Sequence, residues 1–221
     1  MKVMVISPHM DDETLGMGGT IAKHVSCKDE VSVVIVAHRV YDHKFDPIIN
    51  QKESQAAKSA KEILGYQHLT LLGLPDERLD NCIQDLLIPL EKEYNVFKPD
   101  ILYTCHYGDN NQDHRAVFEA VRILGRASSP VKVAKFLCYE VLSSTEASPP
   151  LVQNAFMPNY YVDIESFIEK KLAAFKCYEK EQRPFPHPRS FEGVNVLAKK
   201  RGMEVGFNFA EAFVVLRDEW R

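Results

Sequence analysis

The sequence predicts an α/β protein with a Rossmann-like, doubly wound sheet that is mostly parallel and has helices on both faces. Strand and helix patterns alternate over the first two thirds of its 221 residues, as in successive βαβ units. The strand segments are continuous apolar runs, which suit parallel strands buried on both faces. We find no internal repeat or linker composition, so we expect a single domain over residues 1–221.

Five short apolar runs predict the strands, at residues 2–6, 31–37, 69–72, 101–105 and 133–141. Helical spacing of apolar residues lies between them, at residues 14–24, 49–64, 83–94 and 114–124. Gly65 follows the second of these helices and predicts a glycine C-cap there. The last third is less regular, with helices predicted at 165–180 and 191–201 and a closing strand at 212–216.

The composition excludes several classes of protein. Hydrophobic residues make up 45% and charged residues 26%, as in ordinary folded soluble proteins. A net charge of -4 gives no electrostatic basis for binding nucleic acid. No stretch approaches the roughly 18–20 apolar residues of a membrane span. The five cysteines are scattered and form no CxxC pair, which is typical of reduced thiols, so we expect a cytoplasmic protein.

Polar clusters follow two of the predicted strands. Residues 7–13 come directly after the first strand, and residues 106–114 follow the fourth. Open α/β sheets bind ligands beyond the carboxyl ends of their strands, and the first and fourth strands are commonly neighbours. We therefore expect the two clusters to face one crevice. A third polar cluster, residues 185–190, lies in the irregular part of the chain.

The first two clusters contain the side chains of a catalytic zinc site. Two imidazoles and one carboxylate hold zinc and leave a fourth position open for water. If Asp12 is a ligand, its neighbour Asp11 points elsewhere and can accept a proton from a water that the metal has made more acidic. Alternatively, each cluster only caps a helix N-terminus. Their joint placement at strand ends favours the shared metal site.

Several motifs run in order along the chain: PHMDDETLGMGGT at 8–20, GLPD at 73–76, NQDHRAV at 111–117, PRS at 188–190, RG at 201–202 and AEAF at 210–213. Together they resemble the PIG-L/LmbE family of zinc-dependent N-acetyl-sugar deacetylases. The resemblance implies an LmbE-like fold and removal of the N-acetyl group from an N-acetylglucosamine-type sugar or sugar conjugate. Members of this family are often oligomers, so a homo-oligomer is also expected.

The same resemblance assigns roles to individual residues. It implies that His9, Asp12 and His114 bind Zn²⁺, or another divalent metal such as Fe²⁺. It implies that Asp11 is the general base. It also implies that Asp113 is not a metal ligand but orients a neighbouring side chain.

This chain departs from the family pattern at two positions. Met10 replaces the usual proline of the first motif, and Asn111 stands where many members have a second histidine. Asparagine can donate a hydrogen bond to an oxyanion but cannot supply a proton. The proton for the departing amine must then come from Asp11, once protonated, or from another group. His187 is our candidate for that group; alternatively, it is a surface histidine between prolines.

Two further residues are candidates for contacts with substrate. Asp76, after the third strand, could accept hydrogen bonds from sugar hydroxyls. Arg189 could bind a hydroxyl or phosphate of the substrate, or pair with Glu192 or Glu211 in the scaffold.

Two alternatives from other functional classes stay open. The same metal centre could hydrolyse a different amide or an ester, or the chain could be a non-catalytic, metal-bound binding subunit. Gly16, Gly18 and Gly19 do not have the spacing of a dinucleotide-binding loop. We expect them instead to let the first helix pack closely on the sheet.

Overall fold

The computed structural model of the chain describes residues 1–38 and 46–220. Its seven strands are β1 (Lys2–Ser7), β2 (Glu30–His38), β3 (His68–Pro75), β4 (Ile101–Cys105), β5 (Lys135–Tyr139), β6 (Tyr160–Asp163) and β7 (Ala210–Asp218). Its helices are α1 (Asp12–Ser26), α2 (Pro47–Leu64), α3 (Ile83–Phe97), α4 (Gln112–Leu124), α5 (Ile168–Lys176) and α6 (Phe191–Met203). Within those residues, we find no helix with the length and apolar character needed to cross a bilayer.

The strands form one sheet in the order β3-β2-β1-β4-β5-β7-β6. The first five strands are parallel, and β7 runs antiparallel to both of its neighbours. The predicted Rossmann-like, mostly parallel sheet is therefore confirmed. Sequence analysis missed β6, a strand of four half-buried residues at the sheet edge. So short a segment has too few residues to show a strand period.

Helices cover both faces of this sheet, as predicted. One face packs its apolar residues against α1, α2, α5 and α6, and the other packs against α3 and α4. Helix α2 ends at Gly65 in the left-handed conformation, at φ 86°, which confirms the predicted C-cap. The helix predicted at 165–180 is shorter in the structure: α5 covers only its middle, with 3₁₀ turns at Glu165–Phe167 and Glu179–Glu181.

Adjacency of β1 and β4 creates the crevice that sequence analysis predicted. Val3 of β1 pairs with Val31 on one side and with Ile101 on the other, so β1 lies between β2 and β4. The strand order reverses at this point, because successive connections from β1 and β4 lead to opposite edges of the sheet. The loops after these two strands meet at their carboxyl ends, where α1 and α4 begin.

Candidate metal centre

Three side chains from the two loops converge on one point: His9, Asp12 and His114. Asp12 Oδ2 lies 3.2 Å from His9 Nδ1 and 3.1 Å from His114 Nε2. The two imidazole nitrogens are 3.2 Å apart. Ligands around a tetrahedral zinc ion with bonds of about 2.0–2.1 Å lie roughly 3.3 Å from one another. The three donor atoms therefore have nearly the spacing that a single bound cation requires.

The protein alone does not satisfy the bonding needs of this cluster. Two imidazole nitrogens and a carboxylate oxygen face one another, and no set of protons can bridge all three contacts well. In addition, Asp12 Oδ1 is buried and has no hydrogen-bond partner among the described residues. Buried polar atoms of this kind need a partner. A divalent cation fits the donor set and would provide one.

Each imidazole is held from behind by a carboxylate. His9 Nε2 lies 3.1 Å from Asp113 Oδ2, and His114 Nδ1 lies 3.2 Å from Asp109 Oδ2. Metal-binding histidines commonly have such a partner, which fixes the ring orientation and makes the ligating nitrogen more basic. The arrangement leaves His9 Nδ1 and His114 Nε2 as the nitrogens directed at the common point.

The carboxylates also set the charge of the cluster. Burial lowers the pKa of His9, but hydrogen bonds to Asp113 and Asp12 outweigh this effect and raise the pKa to about 10. Burial likewise lowers the pKa of His114, but Asp12 and Asp109 raise it to about 9. Burial raises the pKa of Asp12, yet the two imidazoles hold it well below its usual range. The carboxylates around the two imidazoles therefore favour positive charge at this point of the site.

Sequence analysis did not single out Asp109, although it is central to this network. Its carboxylate accepts hydrogen bonds from the Ser144 hydroxyl, from Thr145 Oγ1 at 2.7 Å and from the Asn111 backbone N–H at 2.9 Å, and it lies against His114. The only sequence signal was a further acidic residue within the 106–114 cluster. Ser144 and Thr145 follow β5, so their approach depends on tertiary structure.

Asp113 anchors a second loop as well as His9. Its carboxylate accepts hydrogen bonds from the backbone N–H groups of Glu77, at 2.6 Å, and Leu79, at 3.2 Å. These residues belong to the loop after β3, directly after the GLPD motif that ends the strand. The position of His9 is therefore tied to the loop that forms one wall of the site.

Asp11 is the N-cap of α1 and has an uncommon backbone conformation, with φ 111°. Residues other than glycine rarely adopt positive φ, and asparagine and aspartate are the ones that tolerate it best. Its N–H donates to Glu13 Oε2 at 3.2 Å, and its carbonyl accepts from Thr14 and Leu15. Burial raises the pKa of the Asp11 carboxyl well above its usual range, and nearby Arg189 offsets only part of this effect.

Arg189 lies between two carboxylates at the edge of the site. Its Nη1 is 3.2 Å from Asp11 Oδ2 and 2.7 Å from Glu181 Oε2. Of the two alternatives considered from the sequence, the scaffold role holds in part: Arg189 pairs with Asp11 and Glu181 and not with Glu192 or Glu211, and Glu211 instead pairs with Lys171. A guanidinium is a planar, permanently charged donor, so it can hold Asp11 in one orientation.

A cavity of about 550 Å³ opens at this cluster. Among the residues that line it are His9, Asp11, Asp76, Asn111 and Arg189. Asn111 is the N-cap of α4, and its side-chain oxygen accepts a hydrogen bond from the Asp113 backbone N–H at 2.8 Å. Because the oxygen is used in this way, the amide NH₂ is the part of the side chain left for a ligand.

The structure does not bring His187 to this cavity. The side chain is exposed, and its Nδ1 accepts a hydrogen bond from the Arg189 backbone N–H at 3.0 Å. Tyr178, which sequence analysis placed within a long helix, does line the cavity, and it donates a hydrogen bond to Glu13 Oε1 at 2.6 Å. Its position could not be predicted because it depends on the early end of α5.

Comparison with known proteins places these features in context. YaiS of Escherichia coli strain K12, described as an uncharacterized deacetylase, is 27% identical over 183 residues, which are 80% of this chain and 90% of that protein. The diacetylchitobiose deacetylase of Thermococcus kodakarensis is 26% identical over 201 residues, which are 81% of this chain and 70% of that protein.

The fold also occurs in a solved structure with a different described reaction. GalB of Pseudomonas putida KT2440, the 4-carboxy-2-hydroxymuconate hydratase, has a TM-score of 0.76 at 20% identity, with coverage of 100% of this chain and 98% of that one. Fold similarity at this level does not determine the reaction. The sequence profile of the PIG-L family, described as GlcNAc-PI de-N-acetylase, matches residues 4–124, more than half of the chain. This chain belongs to the PIG-L family.

Proposed function

We propose that this protein is a zinc-dependent amidohydrolase that removes the N-acetyl group from an N-acetylglucosamine-type sugar or sugar conjugate. The observation that carries the proposal is the convergence of His9, Asp12 and His114 on one point, with Asp11 beside them at the wall of a cavity. The two curated relatives support it, since both are named deacetylases and one is named for diacetylchitobiose.

The three converging side chains would hold the metal ion. Two imidazoles and a carboxylate are a donor set that zinc accepts in catalytic sites, and Fe²⁺ can also take it. When bound, the ion supplies Lewis acidity, which polarises a carbonyl group and makes a water molecule more acidic.

Asp11 is the proposed general base. Its carboxylate lies next to the ligand Asp12 in the chain, yet it faces Arg189 and the cavity. It would accept the proton of the attacking water as the water adds to the acetamide carbonyl. The Asn111 amide, at the same cavity, would donate a hydrogen bond to the oxyanion of the tetrahedral adduct.

Release of the amine requires a proton on its nitrogen. Neither Asn111 nor the exposed His187 is placed to supply one. Asp11, protonated in the first step, would return its proton to the departing nitrogen, so one carboxyl group serves as base and then as acid. Arg189 would hold that carboxyl group, and Asp76 would accept hydrogen bonds from sugar hydroxyls.

Acetate release from a panel of N-acetylated compounds tests the proposal. We expect the zinc-loaded protein to release acetate from at least one compound in a panel that contains N-acetylglucosamine, N,N′-diacetylchitobiose and larger conjugates. Removal of the metal with a chelator should abolish release, and zinc should restore it. A failure to release acetate from any compound, combined with hydration of an unsaturated acid, would replace the proposal with the reaction of the fold relative GalB.

Replacement of Asp113 with asparagine should weaken metal binding without removing a ligand. An amide cannot accept hydrogen bonds with both terminal atoms, and it lacks the charge that makes His9 a stronger ligand. We expect zinc affinity to fall by about 10–100-fold, measured by competition with a chelating dye. Asp100→Asn is the matched control. The Asp100 carboxylate also accepts a hydrogen bond from a backbone N–H, that of Lys2, but at the start of β1, the end of the strand opposite the metal centre. Equal affinities of Asp113→Asn and wild type would contradict the role assigned to Asp113.

A further inference from the structure

Helix α1 is broken within its length. Met17 has φ -150° and ψ 25°, which are not helical values, although the helix continues on both sides of it. The break separates a short first part, which begins with the proposed ligand Asp12, from a longer second part. The orientation of Asp12 is therefore set by the short first part of α1 and not by the axis of the longer second part.

Such a break leaves backbone groups without their helical partners. Here two side chains provide the partners. Glu211 accepts hydrogen bonds from the N–H groups of Gly19, at 3.0 Å, and Thr20, at 2.6 Å. Lys171 Nζ donates to the carbonyl oxygen of Leu15 at 2.9 Å. Two N–H groups of the second part and one carbonyl group of the first part therefore have side-chain partners.

These two side chains also form an ion pair with each other. Lys171 Nζ lies 2.6 Å from Glu211 Oε1, and the side chains are only 4% and 3% exposed. Lys171 comes from α5 and Glu211 from β7, so the pair reaches α1 from two distant elements. Burial of an ion pair is costly, and apolar residues of similar size often stabilise a core equally well. Because Lys171 and Glu211 also hydrogen-bond to backbone groups on the two sides of the break, they have a role that apolar residues could not fill.

The two parts of α1 pack closely against different elements of the fold. A β-carbon on Gly16 would overlap with the ring of Tyr139, so the first part lies directly on β5. A β-carbon on Gly19 would come within 2.8 Å of Ile164 atoms, so the second part is in equally close contact on another side. The expected close packing of the first helix on the sheet is confirmed at Gly16, whereas Gly19 packs against Ile164, which follows β6, and Gly18 packs against Lys171 of α5. The two contacts are made by parts of α1 that lie on either side of the break.

We infer that Lys171 and Glu211 are positioning residues of the metal centre, which hold the break in α1 and thereby direct Asp12 at the ion. The inference rests on the metal centre of the proposed function but not on its substrate. Neither residue touches the ligand cluster. Lys171 and Glu211 act on the metal centre only through the first part of α1, which connects Leu15 to Asp12.

The double variant Lys171→Met, Glu211→Leu tests this role. Apolar residues of similar size preserve the packing without leaving one charge unpaired, as either single substitution would. We expect the double variant to fold but to bind zinc about 10–100-fold more weakly than wild type, the range seen when residues that orient ligands are lost. Hydrogen exchange at the Gly19 and Thr20 amides should also be faster, because both amides lose their acceptor.

A second ion pair provides the matched control. Arg201 Nε lies 2.6 Å from Glu140 Oε1, with the side chains 10% and 14% exposed, and within the described part of the chain neither side chain hydrogen-bonds to α1. The variant Arg201→Met, Glu140→Leu should retain the zinc affinity of wild type.

Three outcomes would overturn the inference. One is wild-type zinc affinity in the folded Lys171→Met, Glu211→Leu variant, and another is an equal loss of affinity in the control variant. The third is a wild-type protein that binds no metal, which would also remove the metal centre. By contrast, a protein that binds zinc but releases no acetate would contradict the proposed function alone, and the difference between the two variants would still support the inference.

Discussion

Replacement of His114 with glutamine is expected to abolish zinc binding and to reduce acetate release to background. Only His9 and Asp12 would remain as strong donors, and a two-donor set does not hold zinc in a catalytic site. The loss of Lewis acidity is worth several kcal/mol, so we expect turnover to fall by roughly 10³-fold or more. Metal content by elemental analysis and acetate release on the same preparation would measure both effects.

Glutamine is preferred to alanine at this position because His114 is 1% exposed and lies between two carboxylates. Alanine would leave a void and two unpaired buried acids, and the chain could then fail to fold. His24→Gln is the matched control: His24 also lies between a carboxylate, Asp29, and another polar group, but it is remote from the cavity. Full zinc occupancy and activity in His114→Gln would eliminate this residue as a ligand.

The parts of the site that could be predicted from sequence are those that follow directly from the ends of strands. His9 and Asp12 follow β1, His114 follows β4, and the two strands are neighbours in the sheet. Buried parallel strands have a clear apolar pattern, so both the fold and the meeting of these loops could be derived from it.

The surrounding contacts could not be predicted, because they come from segments without a regular pattern. Asp109 accepts hydrogen bonds from hydroxyl groups that follow β5. Arg189 pairs with Glu181 across an irregular turn. The break at Met17 depends on side chains from α5 and β7. Such contacts join residues far apart in the chain, whereas local periodicity reports only on neighbours. The single-domain, cytoplasmic and oligomeric assignments stay predictions.

Asp11→Asn is the second substitution for which we expect a large effect, and the local backbone makes it unusually informative. Asp11 has φ 111°, where most side chains are strained. Asparagine tolerates positive φ about as well as aspartate, so the loop conformation should persist. Arg189 would keep its contact with Glu181. The substitution thus removes the basic oxygen with little other change.

We expect Asp11→Asn to lower kcat by about 10²–10⁴-fold, the usual contribution of a positioned general base, with KM and zinc content close to those of wild type. A base acts only when deprotonated, so wild-type activity should rise with pH as the Asp11 carboxyl loses its proton. That rise should be absent from the pH profile of the variant. Burial raises the pKa of this carboxyl, and a cation bound at Asp12 would lower it. Glu181→Gln is the matched control, because it removes the other carboxylate that pairs with Arg189 but leaves the proposed base, Asp11, in place. Wild-type turnover and an unchanged pH profile in Asp11→Asn would show that the proton is accepted elsewhere.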